Sequence, residues 1–238
     1  MIGELGTIVL DAPDIESLSV FYMGLAGWAQ HSAEDDWVML TTSDGWWIGL
    51  QLATDHVPPR WPDPTYPQQA HLDLRVPDLD AATARALDLG ATLLRRGETW
   101  HTLADPAGHP LDLCLNAEDP AVTVRGVVLD CPDPVALSRF YAELLGKPVS
   151  YPAEGVAMIG NDGERPVRFQ QVESYSPPRW PDPTRPQQLH FDVMVDRIEP
   201  AETAALAIGA TRLPGGGDWF RVYADPVGKP FCLVWGDD

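Results

Sequence analysis

Two pairs of histidine and aspartate carry the most direct chemical signal in the sequence. His71 is followed by Asp73, and 119 residues later His190 is followed by Asp192. Side chains two positions apart on a strand point to the same face of a sheet, so each pair would present an imidazole beside a carboxylate. A nearby carboxylate raises the pKa of a histidine, which would make each pair a general acid or base without a metal. A structural hydrogen bond inherited by both copies is the alternative.

The offset of 119 residues recurs throughout the chain. The sequence PPRWPDPT occupies residues 58–65 and again 177–184, and PQQ follows it at 67–69 and 186–188. A long repeat at a fixed offset indicates two copies of one folding unit. We predict one domain at residues 1–117, a linker at 118–123 and a second domain at 124–238.

Each unit is predicted to contain two modules, each built from a strand, a helix and three further strands. In the first module Asp14 provides a helix N-cap, apolar residues recur at helical spacing from Ile15 to Leu25, and Gly27 ends the helix. The second module repeats this order over residues 70–115 and places His71 and Asp73 in its first strand. Four such modules account for the whole chain.

The proline-rich segment at residues 58–64 cannot form a helix or a central strand, because proline fixes φ and lacks an N–H group. We interpret it as an extended strap across a surface. In a functional interpretation Trp61 and Trp180 are aromatic lids, and Arg60 and Arg179 grip an anionic or planar group. In the alternative, which we favour, the strap joins two modules and its prolines limit the entropy lost on folding.

Composition excludes several classes of partner. The net charge of −19 makes nucleic acid and anionic membrane surfaces poor partners. Residues 1–20 lack a signal-peptide pattern, and no apolar run is long enough to span a bilayer. Three cysteines without paired spacing make disulfides improbable. We therefore expect a soluble cytoplasmic protein that binds a small molecule.

The module order and three short motifs resemble the vicinal oxygen chelate superfamily of glyoxalases, bleomycin-resistance proteins and extradiol dioxygenases. The motifs are VLDAPD at residues 9–14, FY followed by LAG at 21–27, and DPAGHPLDL at 105–113. The resemblance implies an α+β fold in which four βαβββ modules pair into two tandem glyoxalase-like domains. Each domain would be an open, cup-shaped β-sheet with its helices outside.

The resemblance also implies where a metal would bind. Metal-dependent members of the superfamily hold one divalent ion, here Zn, Ni, Mn or Fe, on the first, fourth, fifth and eighth strands. In the first unit these positions carry Thr7, Gln51, His71 and Asp112. An ion held by Gln51, His71 and Asp112 would polarise the vicinal oxygens of a substrate. The alternative is a cavity histidine hydrogen-bonded to a neighbouring aspartate.

The corresponding positions of the second unit are weaker. They carry Gly126, Gln170, His190 and Cys232, which offer two good donors where catalytic zinc normally has three protein ligands. Cys232 fits the role of a small core residue better than that of a nucleophile. We therefore expect the second unit to be the scaffold, with Gln170, His190 and Asp192 contributing to ligand binding.

Two functions follow from the resemblance. The first is a glyoxalase-like lyase or isomerase that transfers a proton next to a carbonyl group, with His71, Asp73 and Asp112 as its catalytic residues. The second is non-catalytic binding of an aromatic or cationic compound, as in bleomycin-resistance proteins, with tryptophan walls. A tandem chain can act as a monomeric pseudo-dimer, and a homodimer is the alternative.

Overall fold

The structure, a computed structural model, describes residues 1–63, 65–161 and 163–236. Pro64, which belongs to the predicted strap, lies outside the described residues. The chain forms four βαβββ modules, as the sequence predicts.

The four modules follow one another along the chain with the same order of elements. The first comprises β1 (Glu4–Ala12), α1 (Ile15–Ala26), β2 (Ala29–Ala33), β3 (Trp37–Thr41) and β4 (Trp47–Leu52). The second comprises β5 (Ala70–Val76), α2 (Leu79–Asp88), β6 (Thr92–Arg96), β7 (Trp100–Ala104) and β8 (Pro110–Leu115). The third comprises β9 (Thr123–Cys131), α3 (Pro134–Leu145), β10 (Val149–Ala153), β11 (Val156–Ile159) and β12 (Val167–Gln171). The fourth comprises β13 (Leu189–Met194), α4 (Ile198–Ala207), β14 (Thr211–Gly216), β15 (Phe220–Ala224) and β16 (Pro230–Val234).

Helix α1 begins and ends where its sequence predicts. The Asp14 side chain accepts a hydrogen bond from the Ser17 N–H group at 2.9 Å, and Gly27 closes the helix with φ of 67°. The first helix of the second repeat, α3, has the same caps at Asp133 and Gly146. Within the described residues, no helix combines the length and apolar character needed to cross a membrane.

The two eight-stranded sheets each combine modules from both repeats. One sheet has the strand order β14-β15-β16-β13-β1-β4-β3-β2, and the other has the order β10-β11-β12-β9-β5-β8-β7-β6. At the centre of each sheet, the first strand of one repeat pairs antiparallel with a strand of the other repeat, β1 with β13 and β5 with β9. Neither sheet closes into a barrel, so each leaves one open, concave face. The fold class is therefore confirmed, and each cup belongs to both repeats.

Inside each repeat the modules meet on the helical side of the sheets. Tyr22 of α1 is 1 % exposed and donates a hydrogen bond of 3.0 Å to Asp105 in the turn before β8. Tyr141 of α3 makes the equivalent bond of 3.0 Å to Asp225. The proposed linker and the domain limits at residues 117 and 124 stay predictions, since the sheets cross that division.

The straps lock the two repeats together through a reciprocal pair of glutamines. The Gln188 side-chain oxygen accepts the Gln69 backbone N–H at 2.9 Å, and the Gln69 side-chain oxygen accepts the Gln188 backbone N–H at 3.1 Å. Each side-chain amide also donates to a carbonyl of the opposite strap, that of Pro186 or Pro67. This lock explains why the PQQ motif is kept in both repeats.

Candidate functional site

The larger concave face, here the His71 cup, lies on the sheet that contains β5 and β9. Its cavity has a volume of about 880 Å³. Strand β5 alternates, so that His71, Asp73 and Arg75 face the cavity while Leu72 and Leu74 are buried on the other side. The second repeat contributes Arg125, Arg168 and Gln170 to the same cavity.

Three titratable groups meet on the floor of the His71 cup. His71 Nε2 lies 3.5 Å from Asp73 Oδ1 and 4.0 Å from Asp112 Oδ2. Asp73 and Asp112 are direct partners on the parallel strands β5 and β8, which sets both carboxylates beside the imidazole. Thr102 fixes Asp112 by donating its hydroxyl to Oδ1 at 2.6 Å. The structure therefore brings together the three residues that the sequence predicts to be catalytic.

The far side of the His71 ring is held by a chain of side chains from both repeats. Gln68 of the strap places its Nε2 atom 3.3 Å from His71 Nδ1 and donates to Asp130 Oδ1 at 3.2 Å. Gln170 donates to the same Asp130 oxygen at 2.7 Å. Asp130 is 2 % exposed, so this network is shielded from solvent. It orients Nε2 of His71 toward the cavity.

Arginine side chains place positive charge next to the carboxylates of the His71 cup. Arg125 Nη1 lies 3.6 Å from Asp73 Oδ2. Arg168 donates to the Arg125 backbone carbonyl at 2.6 Å, and its guanidinium occupies the space above Gly126 that a side chain would fill. Three of the sixteen basic residues of an acidic protein thus line one cavity.

Burial and charge move the pKa values of the three groups in different directions. Burial lowers the pKa of His71, but the hydrogen bond and charge of Asp73, with the charges of Asp112 and Asp130, leave that pKa raised. Burial raises the pKa of Asp73, but its contacts with His71 and Arg125 leave it lowered. Burial leaves the pKa of Asp112 raised. Asp73 therefore stays ionised, while Asp112 protonates more readily.

The second concave face, here the His190 cup, lies on the sheet that contains β13 and β1. Its cavity has a volume of about 400 Å³. Its walls are aromatic, with side chains from both repeats: Trp37, Trp180, Trp219 and Phe220. Among the described residues, those that line this cavity include no arginine or lysine.

The floor of the His190 cup carries an imidazole, a carboxylate and a thiol. One donor atom each from His190, Asp192 and Cys232 lies within 4.8 Å of the other two. His190 Nε2 is 3.7 Å from Asp192 Oδ1, and His190 Nδ1 is 3.7 Å from Asp11 Oδ1. Gln187, the counterpart of Gln68, lies 3.0 Å from the same Nδ1 atom.

Burial raises the pKa of both acidic groups in this cup, against the opposing effect of His190. It raises the pKa of Asp192, and it raises the pKa of Cys232 despite the opposing effect of His190. Burial lowers the pKa of His190, but the close approach of Asp11 and Cys232 and the charge of Asp192 leave that pKa well above its usual value. The floor therefore places two acidic groups that resist ionisation beside a histidine that protonates more readily.

The structure separates Gln51 from the two residues with which the resemblance groups it. Gln51 lies on β4 and lines the His190 cup, whereas His71 and Asp112 line the His71 cup. Gln170, which the resemblance groups with His190 and Cys232, lines the His71 cup instead. The physical reason is the pairing of strands across the repeats, which gives each cup the fourth strand of the other repeat.

The strap residues contribute unequally to the cups. Trp180 lines the His190 cup, and its indole N–H donates to the Pro214 carbonyl at 2.9 Å. Arg60 lies over the ring of Tyr66 at 4.7 Å within the strap. In the part of the chain that is described, neither Arg60 nor Trp61 is among the residues lining the two cups. The lid interpretation thus has a structural counterpart in Trp180.

The two donor sets differ in their fit to a divalent ion. In the His71 cup the possible donors are His71, Asp112 and, in place of the expected Gln51, Asp73. Arg125, however, already places positive charge 3.6 Å from the Asp73 carboxylate. A divalent ion there would face the guanidinium, so this set fits a metal poorly. Around His190, Asp192 and Cys232, the described residues that line the cavity include no arginine or lysine.

Sequence reasoning missed the residues that support the histidines. Gln68 contacts the His71 ring and Gln187 contacts the His190 ring. The PQQ motif present in both repeats could have pointed to these two glutamines. Arg125 and Arg168 gave no such signal, because they approach β5 only through pairing with the other repeat.

Comparisons with known proteins agree with this architecture. A family model described as a glyoxalase-like domain matches residues 7–114 and again residues 126–234. A search of the curated proteins found no match.

Solved structures share the fold at low sequence identity. Glyoxalase I from Zea mays is 15 % identical with a TM-score of 0.64, and the match covers 97 % of this chain and 92 % of that one. A point mutant of the same enzyme gives 14 % identity and a TM-score of 0.70 over 98 % and 93 % of the two chains. A candidate dioxygenase from Bacillus subtilis subsp. subtilis str. 168 is 14 % identical with a TM-score of 0.64, and the match covers 99 % of this chain and 86 % of that one. These similarities establish the fold alone.

Proposed function

The chain belongs to the family of glyoxalase-like domains, and on that premise we propose that its His71 cup catalyses proton transfer next to a carbonyl group of a small oxygenated metabolite. The observation that carries this function is the contact of His71 Nε2 with Asp73 and Asp112 at 3.5 Å and 4.0 Å on the floor of the larger cavity. Titratable groups whose environments push their pKa values apart are typical of acid and base pairs.

Asp112 is the base in the proposed reaction. Its raised pKa brings a carboxylate closer to the range in which general bases are efficient. Asp112 Oδ2 takes the proton from the substrate carbon, the electrons of the broken C–H bond form the carbon–carbon double bond of an enolate, and the carbonyl oxygen receives the negative charge. For a 2-hydroxycarbonyl substrate, His71 Nε2 protonates the enolate oxygen to give an enediol and then takes the proton of the other hydroxyl group. As that second oxygen becomes a carbonyl, the Asp112 carboxyl group returns its proton to the neighbouring carbon.

His71 is the acid that stabilises the developing oxyanion. Its raised pKa favours the imidazolium form, and Asp73, held ionised, balances that charge. The imidazolium N–H at Nε2 donates to the substrate oxygen as negative charge develops there. Arg125 and Arg168 line the same cavity, so the site favours substrates that carry a carboxylate or another anionic group. The proposed reaction uses no metal-bound step.

Hydrogen exchange from solvent tests this function even when the product is unknown. Small 2-oxo and 2-hydroxycarbonyl compounds would first be selected by quenching of Trp100, which lines the His71 cup. Compounds that bind are then incubated in D₂O with the protein, and loss of the C–H signal next to the carbonyl is followed by NMR. We expect Asp112→Asn to slow exchange by at least about 100-fold.

The matched control is Asp192→Asn in the other cup, which should exchange at the rate of the unmodified protein. Equal rates for Asp112→Asn and the unmodified protein would contradict the proposal. So would the absence of exchange for every compound that binds the His71 cup.

A second function, binding of an aromatic or cationic compound without chemistry, is favoured by the walls of the His190 cup. Trp37, Trp180 and Trp219 offer flat faces, and the described lining residues include the Asp192 carboxyl group and no arginine or lysine. Aromatic cations should bind more tightly than anionic compounds with the same ring. Trp37→Ala should weaken their binding, and Trp100→Ala in the His71 cup should not. Equal affinity for cationic and anionic rings would contradict this function.

A further inference from the structure

We propose that His56 and His109 form a pH-sensitive latch, which holds the start of the first strap on the turn before β8 at neutral pH and releases it in acid. The latch acts on residues 53–59, here the entry segment, whose counterpart in the second repeat is residues 172–178. The second repeat has Tyr175 and Lys229 at the positions of the two histidines. Neither histidine is among the described residues that line the two cups, so the latch is independent of the proposed proton transfer.

The entry segment is seated on the turn by one hydrogen bond and one close packing contact. His56 Nε2 lies 3.0 Å from the Ala107 carbonyl oxygen, so Nε2 carries the ring proton and donates it. Pro58 fills the space above Gly108, where an added Cβ atom would lie only 2.6 Å from Pro58 Cβ. These two contacts fix the start of the strap against the turn.

The two imidazoles of the latch lie side by side with one carboxylate between them and the helix. The ring centroids of His56 and His109 are 5.0 Å apart. His109 is 4 % exposed, and its Nδ1 atom lies 3.1 Å from Asp105 Oδ2, which also accepts the Tyr22 hydroxyl at 3.0 Å. Asp105 can therefore balance one proton on the pair of rings.

A second proton on the pair has no acceptor. His56 Nδ1 is buried and has no hydrogen-bond partner within the described part of the chain. Protonation of His56 would create an unpaired N–H group there and a buried charge 5.0 Å from the second ring. After release from the turn the same ring is hydrated and takes up its proton at an ordinary pKa. Acid therefore favours the released segment.

The charges around the latch act in the same direction. Burial lowers the pKa of His109, but the charge and hydrogen bond of Asp105, with Asp11, leave that pKa raised. Burial and the charge of His109 leave the pKa of His56 lowered, although the Ala107 carbonyl, Asp11 and Asp105 oppose this. His109 therefore protonates first, and its charge opposes protonation of His56.

The sign of the pH dependence follows from the lowered pKa of His56. Below the undocked value of about 6.5, the released segment binds more protons than the docked one, so docking weakens as pH falls towards the docked pKa. Tyr22 and His71 are the other titratable groups beside the latch, and they line one small cavity with His109. Tyr22 stays neutral throughout this range, because burial and Asp105 raise its pKa.

The second repeat has a lysine where the first has the inner histidine. Lys229 is 5 % exposed, and its Nζ atom donates to the Gln69 carbonyl and lies 5.4 Å from the centre of the Tyr175 ring. Pro177 packs on Gly228 as Pro58 packs on its own turn. Burial lowers the pKa of Lys229, so a fall in pH only favours the ammonium form that makes these contacts. Acid should therefore leave the second strap docked.

The latch bears on the His71 cup through the strap that follows it. The same strap carries Gln68, whose Nε2 atom lies 3.3 Å from His71 Nδ1. The reciprocal bonds of Gln69 and Gln188 lie beyond the latch and have no titratable partner. Release in acid thus frees the start of the first strap while its end stays joined to the second repeat.

Hydrogen exchange of the full chain tests the latch. Exchange is followed by mass spectrometry at about pH 7.5 and about pH 5, and rates are corrected for the intrinsic pH dependence of amide exchange. The reporters are the amides of residues 53–60 and 172–179, which include the equivalent bonds from Arg60 N–H to the Tyr66 carbonyl and from Arg179 N–H to the Arg185 carbonyl. We expect protection of 53–60 to fall at least about 10-fold in acid, and that of 172–179 by less than about threefold.

Matched variants exchange the latch residues between the repeats. His56→Tyr combined with His109→Lys should reduce the pH response of residues 53–60 to less than about threefold. Tyr175→His combined with Lys229→His should give residues 172–179 a fall of at least about 10-fold. An equal pH response of the two segments in the unmodified protein would overturn the proposal. So would an unchanged response of residues 53–60 in the variant without the two histidines.

NMR titration of His56 in the unmodified protein covers the case in which near-UV circular dichroism shows misfolded variants. The His56 ring should take up its proton below pH 6.5, over the same pH range in which residues 53–60 lose protection. Proton uptake by His56 while the segment stays protected would overturn the latch.

Discussion

The two cups have the same backbone architecture and opposite solutions to the problem of burying acidic groups. In the His71 cup Asp73 is paired with His71 and Arg125, and its pKa is lowered. In the His190 cup the equivalent Asp192 has its pKa raised by burial, beside a thiol and with no arginine or lysine among the described lining residues. The acidic groups of the His71 cup thus have a histidine and arginines as basic partners, whereas those of the His190 cup have the histidine.

The difference arises because each cup is built from both repeats. His71 receives Asp130, Gln170 and two arginines from the second repeat, whereas His190 receives Asp11 and Gln51 from the first. A substitution in one repeat therefore changes the partners of a histidine in the other. Duplication followed by separate change in the two halves can give a pair of cups with distinct chemistry from one fold.

The largest effect on stability is expected at the two straps, which join the repeats. Gln69→Ala removes the acceptor of the buried Gln188 N–H and the donor to the Pro186 carbonyl. Leaving one buried N–H group and one partly buried carbonyl unpaired should cost about 2–5 kcal/mol of unfolding free energy. Gln188→Ala should cost the same amount, because the lock is reciprocal. Urea denaturation measures both, with exposed Gln30→Ala as a control near zero.

A cost below about 1 kcal/mol for either strap variant would contradict the symmetric lock. Strongly unequal costs would do so as well, and would indicate that one strap carries the joint alone.

The strap shows how far sequence reasoning reaches. The repeat, the module order, the helix caps and the face shared by His71 and Asp73 all follow from local pattern and were confirmed. The identity of residues 58–65 and 177–184 correctly marked the joint between modules. A repeat does not, however, state whether its modules pair within a copy or between copies.

The choice of pairing within or between repeats decides which residues meet in the candidate site. Placing Gln51 with His71 assumes pairing inside the first repeat, and the long strap permits either arrangement. The arginines of the His71 cup became visible only once β9 lay beside β5. The sequence could thus identify which side chains face a cavity, but the partners of each came from long-range strand pairing.

The next largest effect on stability should differ between the two cups. In metal-free protein at neutral pH, Asp73→Asn should lower the unfolding free energy by about 1.5–3 kcal/mol, because it removes the charge that pairs with His71 and Arg125. Asp192→Asn should leave stability unchanged within about 0.5 kcal/mol or increase it, because burial disfavours the ionised Asp192. Guanidinium denaturation of both variants measures the contrast.

The pH dependence of these two differences has a defined sign. The folded-state pKa of Asp73 is lowered, so its stabilisation is present above the unfolded value of about 3.9 and is lost as pH falls through the folded pKa. The folded-state pKa of Asp192 is raised, so its cost is absent in acid and develops as pH rises from about 3.9 through the folded pKa. Parallel pH profiles for the two variants would contradict the contrast between the cups.

The smallest effect concerns which carboxylate raises the pKa of each histidine. Asp11 is 3.7 Å from His190 Nδ1, whereas Asp130 reaches His71 through Gln68 and otherwise acts only by its charge. Asp11→Asn should therefore lower the pKa of His190 more than Asp130→Asn lowers the pKa of His71. NMR titration of the imidazole nitrogens measures both.

These histidines also contribute a pH-dependent part of the stability. A raised folded-state pKa stabilises the fold below the unfolded value of about 6.5, and that contribution is lost as pH rises through the folded pKa. Because the pKa of His190 is raised further, Asp11→Asn should remove more of this stability at pH 6 than Asp130→Asn does. Equal changes in the two variants would show that Asp11 and Asp130 play the same part, and would contradict the contrast between the two histidines.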